Sequence, residues 1–596
     1  MNHIEEGNML NKILDGNEEF VESILKKYNY DDHELLQMFV EIQKNRSQGY
    51  IDQDTIELLS RKLGIPEIRI HSVISYYDAL TMNPGARYSI NVCNGTTCSL
   101  MGNSEIEKWV EDILKIKKGE TTDDGMFSLR ETPCFGACDI TPAIRIGDKV
   151  YGKLTRKKVV NIIEKLSKGE FLPDDEKTIQ ENGSLKIITS NFNKYDGMNI
   201  VGYIGLGGFE AFENAVKKGI EESIDEISKS GIRGRGGAQY PTGKKLSQSR
   251  SVKNDRKVIV CNADEGEPGT FKDREILKKD PYKVIEGMLI ASYLTDATEG
   301  FIYLREEYYW MRERIINAIE KSREYGWLGE NIKNSGHNFD IRLVSGAGSY
   351  VCGEGFALCE SLEGKPGIPR SKPPYVKQAG YLQLPTLIIN VETLAAVTTV
   401  LKNGSEIFTE QGTEGSPGTK VVCISGKVKK AGIYEVPFGI SMMEMIDGLA
   451  GGVIDNRKIS FVQIGGASGG ILPASKIDIN YDYESFTDFG MGIGSGAVVV
   501  ADDTDDIVEY TSTVQEFFSH ESCGKCTPCR EGNKQLKKIL KRFMDNRGTE
   551  DDIANYKRIV KTMEIASLCG CGKTEAVPLN NVMEYFEDEF RKRIIK

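Results

Sequence analysis

The residues best suited to chemistry in this sequence are cysteines, and their spacing sorts most of them into two sets. Cys93 and Cys98 lie in CNGTTC, and Cys134 and Cys138 in CFGAC, giving C-x4-C, thirty-five intervening residues and C-x3-C. Cysteine thiolates are soft ligands suited to zinc or to an iron–sulfur cluster. Zinc sites favour C-x2–4-C pairs, so zinc stays open here, as does plain burial of unrelated thiols. Gly95, Gly136 and Ala137 leave backbone N–H groups free to face sulfur. The second set is tighter. Cys523, Cys526 and Cys529 form C-x2-C-x2-C in ESCGKCTPCREG, and a fourth thiol lies forty residues on, at Cys569 or Cys571 in SLCGCG. Three thiolates so spaced wrap one corner of a cubane cluster and a distant fourth closes it, the usual layout of a [4Fe–4S] site.

A third constellation is rich in glycine. GIRGRGGAQYPTGKK (231–245) and CNADEGEPGTFKDR (261–274) combine glycines with Arg235, Lys244 and Lys245. Glycine lets backbone N–H groups approach a phosphate without a Cβ in the way, and the basic side chains would neutralise it. The acidic run Asp264, Glu265, Glu267 would ordinarily be a solvated turn. It directly follows the apolar stretch VIVCNA, however, and ligands in α/β sheets bind at strand C-termini.

The elements that must position these residues follow from periodicity. Leu35, Met38, Phe39 and Ile42, then Ile56, Leu58, Leu59 and Leu63, recur at helical spacing, and Pro66 suits the first turn of the next helix. RYSINV (87–92) reads as a strand, 103–116 as an amphipathic helix and AIRIGDKV (143–150) as a hairpin. This predicts a multidomain α/β protein: a helical leader over 1–85, a small α/β domain over 86–167, a polar linker over 168–195, a glycine-rich α/β domain over 196–410, a small β-rich domain over 411–505 and a helical domain over 506–596. The GGASGG segment (465–470) reads as turn chemistry, and 534–542 as the wet face of a helix. Cys261, Cys352, Cys359 and Cys423 have apolar neighbours and are expected to be buried. His520 is a candidate for the surroundings of the second cysteine set.

Composition narrows the function classes. The 596 residues carry a formal charge of -12, with 39% hydrophobic and 28% charged residues. That balance is ordinary for a globular protein and disfavours nonspecific binding to nucleic acid or anionic lipid. Apolar runs such as 497–501 are too short to span a bilayer, and the acidic, polar N-terminus is unlike a signal peptide. Thirteen cysteines without an export signal point to metal or redox roles in the cytoplasm rather than to a disulfide scaffold.

Two resemblances sharpen this reading. LGIPEIRIHSVISYYDAL, NVCNGTTCSLMG and ETPCFGACDITPAIRIGDKVYGKLT, in that order, resemble the thioredoxin-like [2Fe–2S] subunit of complex I and related hydrogenases. The resemblance implies a thioredoxin-like domain and a [2Fe–2S] cluster on Cys93, Cys98, Cys134 and Cys138. The glycine motifs, with GAGSYVCGEGFALCESLEGKPG (346–367), KPPY (372–375), NVETL (390–394) and the C-terminal cysteines, resemble the flavoprotein subunit of complex I. That resemblance implies an FMN-binding α/β domain, a ubiquitin-like β-grasp (SLBB-type) domain, and a helical [4Fe–4S] domain with Cys569 as the fourth ligand beside Cys523, Cys526 and Cys529. Carried over by position, FMN contacts fall on Gly234, Gly236, Gly237, Lys244 or Lys245, Asn262, Asp264, Glu265, Tyr350, Gly353, Glu354, Asn390 and Thr393. NAD(H) contacts fall on Glu267, Lys372, Tyr240 and Tyr375. The family's GRGGAGFP is here GRGGAQYP, with Gln239 and Tyr240. Its GEET is Gly353-Glu354-Gly355-Phe356, which removes a carboxylate near the nicotinamide. Its VNNVETL has Ile389 before Asn390, and 381–384 lack a customary glycine.

The function implied is that of an NADH:acceptor oxidoreductase subunit. Hydride moves two electrons at once and clusters accept one, so a flavin between them converts one into the other. Hydride passing from nicotinamide C4 to flavin N5 requires no side-chain acid or nucleophile. The expected partners are subunits of a redox complex: a hydrogenase, a formate dehydrogenase or a ferredoxin-linked chain. The alternatives are an electron-relay subunit whose nucleotide site has changed or been lost, and a zinc-stabilised scaffold.

Overall fold

The computed structural model describes residues 18–170, 172–173 and 185–595. The chain is a multidomain α/β protein built on three sheets. In the first, strands β1 (Tyr88–Cys93), β2 (Phe127–Thr132), β3 (Ile144–Ile146) and β4 (Lys149–Tyr151) run in the order β2-β1-β3-β4. β1 and β2 are parallel, and β3 and β4 form the expected hairpin, turning at Gly147 with φ +60°. The helices Asn103–Leu114 and Arg156–Ser167 pack on this sheet.

The second sheet is wholly parallel. Strands β5 (Val258–Ala263), β6 (Glu299–Leu304), β7 (Asp340–Ser345) and β8 (Thr386–Asn390) run in the order β7-β6-β5-β8. Parallel sheets need cover on both faces. The helices Pro281–Thr295 and Val391–Asn403, both almost fully buried, cover one face. The helical leader covers the other: Leu35, Phe39, Ile56 and Ile70 share a core with Val258, Val260, Phe301 and Tyr303. Gln37 completes this docking, with Nε2 donating to the Ser345 carbonyl (2.8 Å) and Oε1 accepting from the Ser345 N–H (3.0 Å). The leader's apolar stripes therefore belong to the second sheet rather than to the β1–β4 sheet that follows in sequence. Pro66 is one position earlier than expected, as the N-cap of Glu67–Ile74.

The third sheet has strands β9 (Thr419–Gly426), β10 (Gly432–Pro437), β11 (Ile459–Ile464), β12 (Gly470–Pro473) and β13 (Ala497–Asp502) in the order β10-β9-β13-β11-β12. β9 and β13 are parallel and the other neighbours antiparallel. One face packs on the C-terminal helices, with Phe461, Ile471, Val499 and Ala501 against Val514, Leu540 and Val560.

The expected linker is corrected at its C-terminal end. Ile187, Ile188 and Phe192 are buried in the core under the second sheet, and the N–H groups of residues 187–189 donate to the Glu435 carboxylate at 2.8–3.1 Å. Those apolar side chains make the segment structural. Residues 171 and 174–184 of the linker lie outside the described residues. Among the described residues, no helix is long and apolar enough to cross a membrane.

Candidate functional site: a cavity between two cysteine sets

Cys93 ends β1, Cys98 lies on the short helix Thr96–Leu100, and Cys134 and Cys138 lie in the loop between β2 and β3. The four are free thiols, each only 2–3% exposed. They form a chain of neighbours: Cys93 touches Cys98 and Cys134, and Cys134 touches Cys138. The N–H of Gly95 faces Cys93 Sγ and that of Gly136 faces Cys134 Sγ, each at 3.4 Å. The glycine approach is required: a Cβ on Gly136 would overlap Tyr308 Oη at 2.3 Å. Among the described residues, no three of these sulfurs lie within 4.8 Å of one another. Tetrahedral zinc, with Zn–S about 2.3 Å, would need about 3.8 Å between all of them. A pair at each end of a chain suits a binuclear centre.

Cys526 caps the N-terminus of Thr527–Met544, which carries Cys529, and Cys569 caps Gly570–Thr574. Cys523, Cys526, Cys529 and Cys569 surround one another electrostatically. Cys569 accepts the N–H groups of Cys571 and Gly572. Cys529 Sγ is 3.2 Å from Ser522 Oγ and 3.5 Å from the Asn533 amide. Except for Cys529, this set is half-exposed. Cys571 is adjacent to Cys569 and Cys529 but also lines the cavity described next.

Between the two sets lies a cavity of about 380 Å³, a size suited to a cofactor. It opens at the C-terminal ends of β5 and β8, where Asn262 and Asn390 are register partners. Of the expected residues, Gly236, Gly237, Asn262, Asp264, Glu265, Glu267, Tyr350, Gly353, Glu354 and Asn390 line it. Asn262 Nδ2 donates to the Gly353 carbonyl (3.0 Å), and Asn390 Nδ2 to Asp273 Oδ2 (2.6 Å). Gly237 has φ +110°, a conformation that L side chains rarely adopt. Asp264 Oδ2 is buried with no partner, and burial pushes its carboxyl well up. Burial likewise raises Glu265 to about 7 and raises Glu267, whose carboxylate accepts the Tyr350 hydroxyl (2.5 Å) and the Ser468 N–H (2.7 Å). A glycine-lined cradle with a buried acceptor lacking its donor fits a flavin.

Other expected residues lie outside the cavity lining. The Gly234 N–H closes the loop on the Tyr240 carbonyl (2.9 Å), and Thr393 Oγ1 accepts the Arg235 N–H (2.9 Å). The Arg235 guanidinium turns away, stacking on Phe438 and donating to Tyr483 Oη at 3.3 Å. Lys244 lines an outer groove. Lys245 reaches the Ile388 carbonyl near the end of β8, and burial lowers its ammonium to about 8. Lys372 stands at the rim, paired with Glu354 at 2.8 Å. Tyr240 and Tyr375 are exposed, with the Tyr240 hydroxyl donating to Gln248 (3.0 Å). His520 pairs with Asp78 of the leader instead of a cysteine.

Lys272 was missed by sequence reasoning. It lines the cavity and is paired with Asp273 (2.7 Å) and Glu392 (3.0 Å). Its position just after the acidic loop was the available signal. GGASGG is more than a turn, because Ser468 and Gly469 wall the cavity. A Cβ on Gly466 would fall 2.2 Å from Glu267 Cγ, so the loop needs glycine there. Cys261, Cys352, Cys359 and Cys423 are buried, as expected.

A glycine-lined cavity at parallel-strand ends, flanked by two four-thiol sites, defines an iron–sulfur flavoprotein. Family models agree: Thioredoxin-like [2Fe-2S] ferredoxin matches 21–167, Nuo51 FMN-binding domain matches 227–399, and NADH-ubiquinone oxidoreductase-F iron-sulfur binding region matches 509–593. The chain is 42% identical to the NADP-reducing hydrogenase subunit HndC of Solidesulfovibrio fructosivorans, over 70% of this chain and 85% of that one. It is 32% identical to the NAD-reducing hydrogenase HoxS subunit alpha of Cupriavidus necator, over 97% and 94%. A solved NAD+-reducing [NiFe]-hydrogenase chain in the H2-reduced state superposes with TM-score 0.84 at 29% identity, over 95% of this chain and 93% of that one. The chain belongs to the complex I-type flavoprotein family of oxidoreductases, here with a thioredoxin-like [2Fe–2S] domain in the same polypeptide.

Proposed function

We propose that this chain is the nucleotide-oxidising subunit of a cytoplasmic redox complex, taking electrons from NADH and delivering them to a partner subunit. The single observation that carries this is the cavity placed next to both thiol sets: Cys571 on its lining neighbours Cys569 and Cys529, and Glu265 on its lining shares Arg305 with the Cys134 carbonyl. A bound flavin would accept a hydride and release its electrons singly. Asn262, Asn390 and the 236–237 glycines would hold it, with Lys245 and Lys272 nearby as cations. Glu267 and Lys372 would orient the nicotinamide nucleotide. Cys93, Cys98, Cys134 and Cys138 would hold [2Fe–2S], and Cys523, Cys526, Cys529 and Cys569 would hold [4Fe–4S], the more exposed set serving as the outlet. The domain limits expected from sequence, apart from the corrected C-terminal end of the linker, are part of this proposal, as are hydrogenase, formate dehydrogenase or ferredoxin-linked partners.

The second reading is a relay subunit without nucleotide turnover. Gly355 favours it, since a Cβ there already meets Val376 Cγ2 at 3.2 Å and the family carboxylate is missing. The test is anaerobic addition of NADH, then NADPH, to the purified chain while following flavin absorbance. Rapid bleaching by NADH supports oxidation at this site. Retained FMN with no bleaching by either nucleotide would establish the relay.

A further inference from the structure

Two buried guanidinium groups pin the CFGAC loop to the cavity wall. Arg274 donates to the Gly136 carbonyl and to both oxygens of Asp139, at 3.2 and 2.9 Å. Its Nε donates to Glu275 at 2.8 Å, so two carboxylates face this one cation. Arg305 differs. Its side chain is 4% exposed and its ion-pair partner is Glu307, with Nε 2.9 Å from Oε2 and Nη2 2.9 Å from Oε1. Its remaining donors reach two carbonyls: Nη2 to Cys134 at 2.7 Å, and Nη1 to Glu265. Glu265 lines the flavin cavity, and Cys134 is in the first thiol set. One cation therefore bridges the two cofactor sites.

Adding an electron to a cluster adds one negative charge. A cation held close by in a poorly screened interior favours the reduced form, and local charge and hydrogen bonding are the protein's means of tuning such potentials. Arg274 is electrostatically offset by its two acids. Arg305 has one ion-pair partner, Glu307, which also lines a solvent-facing groove, and the nearby Asp264 carboxyl is pushed well up by burial.

We propose that Arg305 is a positioning residue that raises the reduction potential of the [2Fe–2S] centre on Cys93, Cys98, Cys134 and Cys138 while tying that centre to the flavin wall through Glu265. This rests on the reading that those cysteines hold the cluster. That reading fails separately if the unaltered chain, purified anaerobically, shows no [2Fe–2S] signal.

The test is an EPR-monitored potentiometric titration of the full chain. Arg305→Gln should lower the reduced:oxidised ratio at the wild-type midpoint about tenfold, which for a one-electron couple is 59 mV. Arg305→Lys, which keeps the charge, should recover most of that ratio. Glu307→Gln removes the opposing charge and should shift the ratio the other way. A purely mechanical latch would move none of these. The proposal is overturned if loaded Arg305→Gln keeps or raises the wild-type potential, or if Lys is no better than Gln. Should Arg305→Gln fail to assemble, the sign of the Glu307→Gln shift decides: upward supports the proposal, and unchanged or downward overturns it.

Discussion

The two thiol sites solve one ligation problem in opposite surroundings. The first is buried between domains: its cysteines are 2–3% exposed, and Arg274, on the helix Lys272–Lys279, and Arg305, just after β6, reach into its loop. The second is built on helix N-termini near the surface, half-exposed except for Cys529. A buried site takes its electrostatics from fixed protein charges, which are weakly screened. A surface site takes them from solvent and from whatever docks there. The first site is thus suited to a potential set within the chain, and the second to electron exit.

Removing a ligand should separate the sites most strongly. Cys134→Ser should abolish the [2Fe–2S] EPR signal and lower the thermal midpoint, because its loop is also the interface. Cys526→Ser should abolish only the [4Fe–4S] signal. If both variants lose both signals, the sites are not independent. The fourth ligand comes next: Cys569→Ser should lose the [4Fe–4S] iron and sulfide, whereas Cys571→Ser should keep them, as elemental and labile-sulfide assays would show.

Exposure should control lability. Under an iron chelator without reductant, iron should leave in two phases, the [4Fe–4S] absorbance bleaching several-fold faster; a single phase would contradict the contrast. At the cavity between them, Asn390→Ala removes a cavity-lining amide that donates to Asp273. FMN affinity should fall about tenfold, or about 1.4 kcal/mol, by fluorescence titration. The smallest effect is on pH dependence. Glu265 is raised to about 7 in the fold by burial, above an unfolded value of about 4.3. The folded chain therefore binds the extra proton between those values, and stability is lost as pH rises through about 7. Glu265→Gln should flatten the fall in the apo-protein's thermal midpoint between about pH 5 and 7.

The legible parts of these sites were local. C-x2-C-x2-C keeps three thiols within seven residues whatever surrounds it, and Asp264, Glu265 and Glu267 follow β5 because connectivity allows little else. The Gln37 and Glu435 contacts were illegible, each joining segments hundreds of residues apart. Lys244 and Lys245 are neighbours in sequence, yet helical rotation points one to an outer groove and the other to β8.

Sequence alone determined the ligand types, their close spacings and the glycines where a Cβ would collide, since these depend on chemistry and short-range sterics. Only the tertiary structure decided that the leader covers the β5–β8 sheet, that GGASGG walls the cavity and that Arg305 links the Cys134 and Glu265 carbonyls. Those outcomes depend on which apolar faces bury one another, and hydrophobic burial is non-directional, so no local pattern specifies the partner.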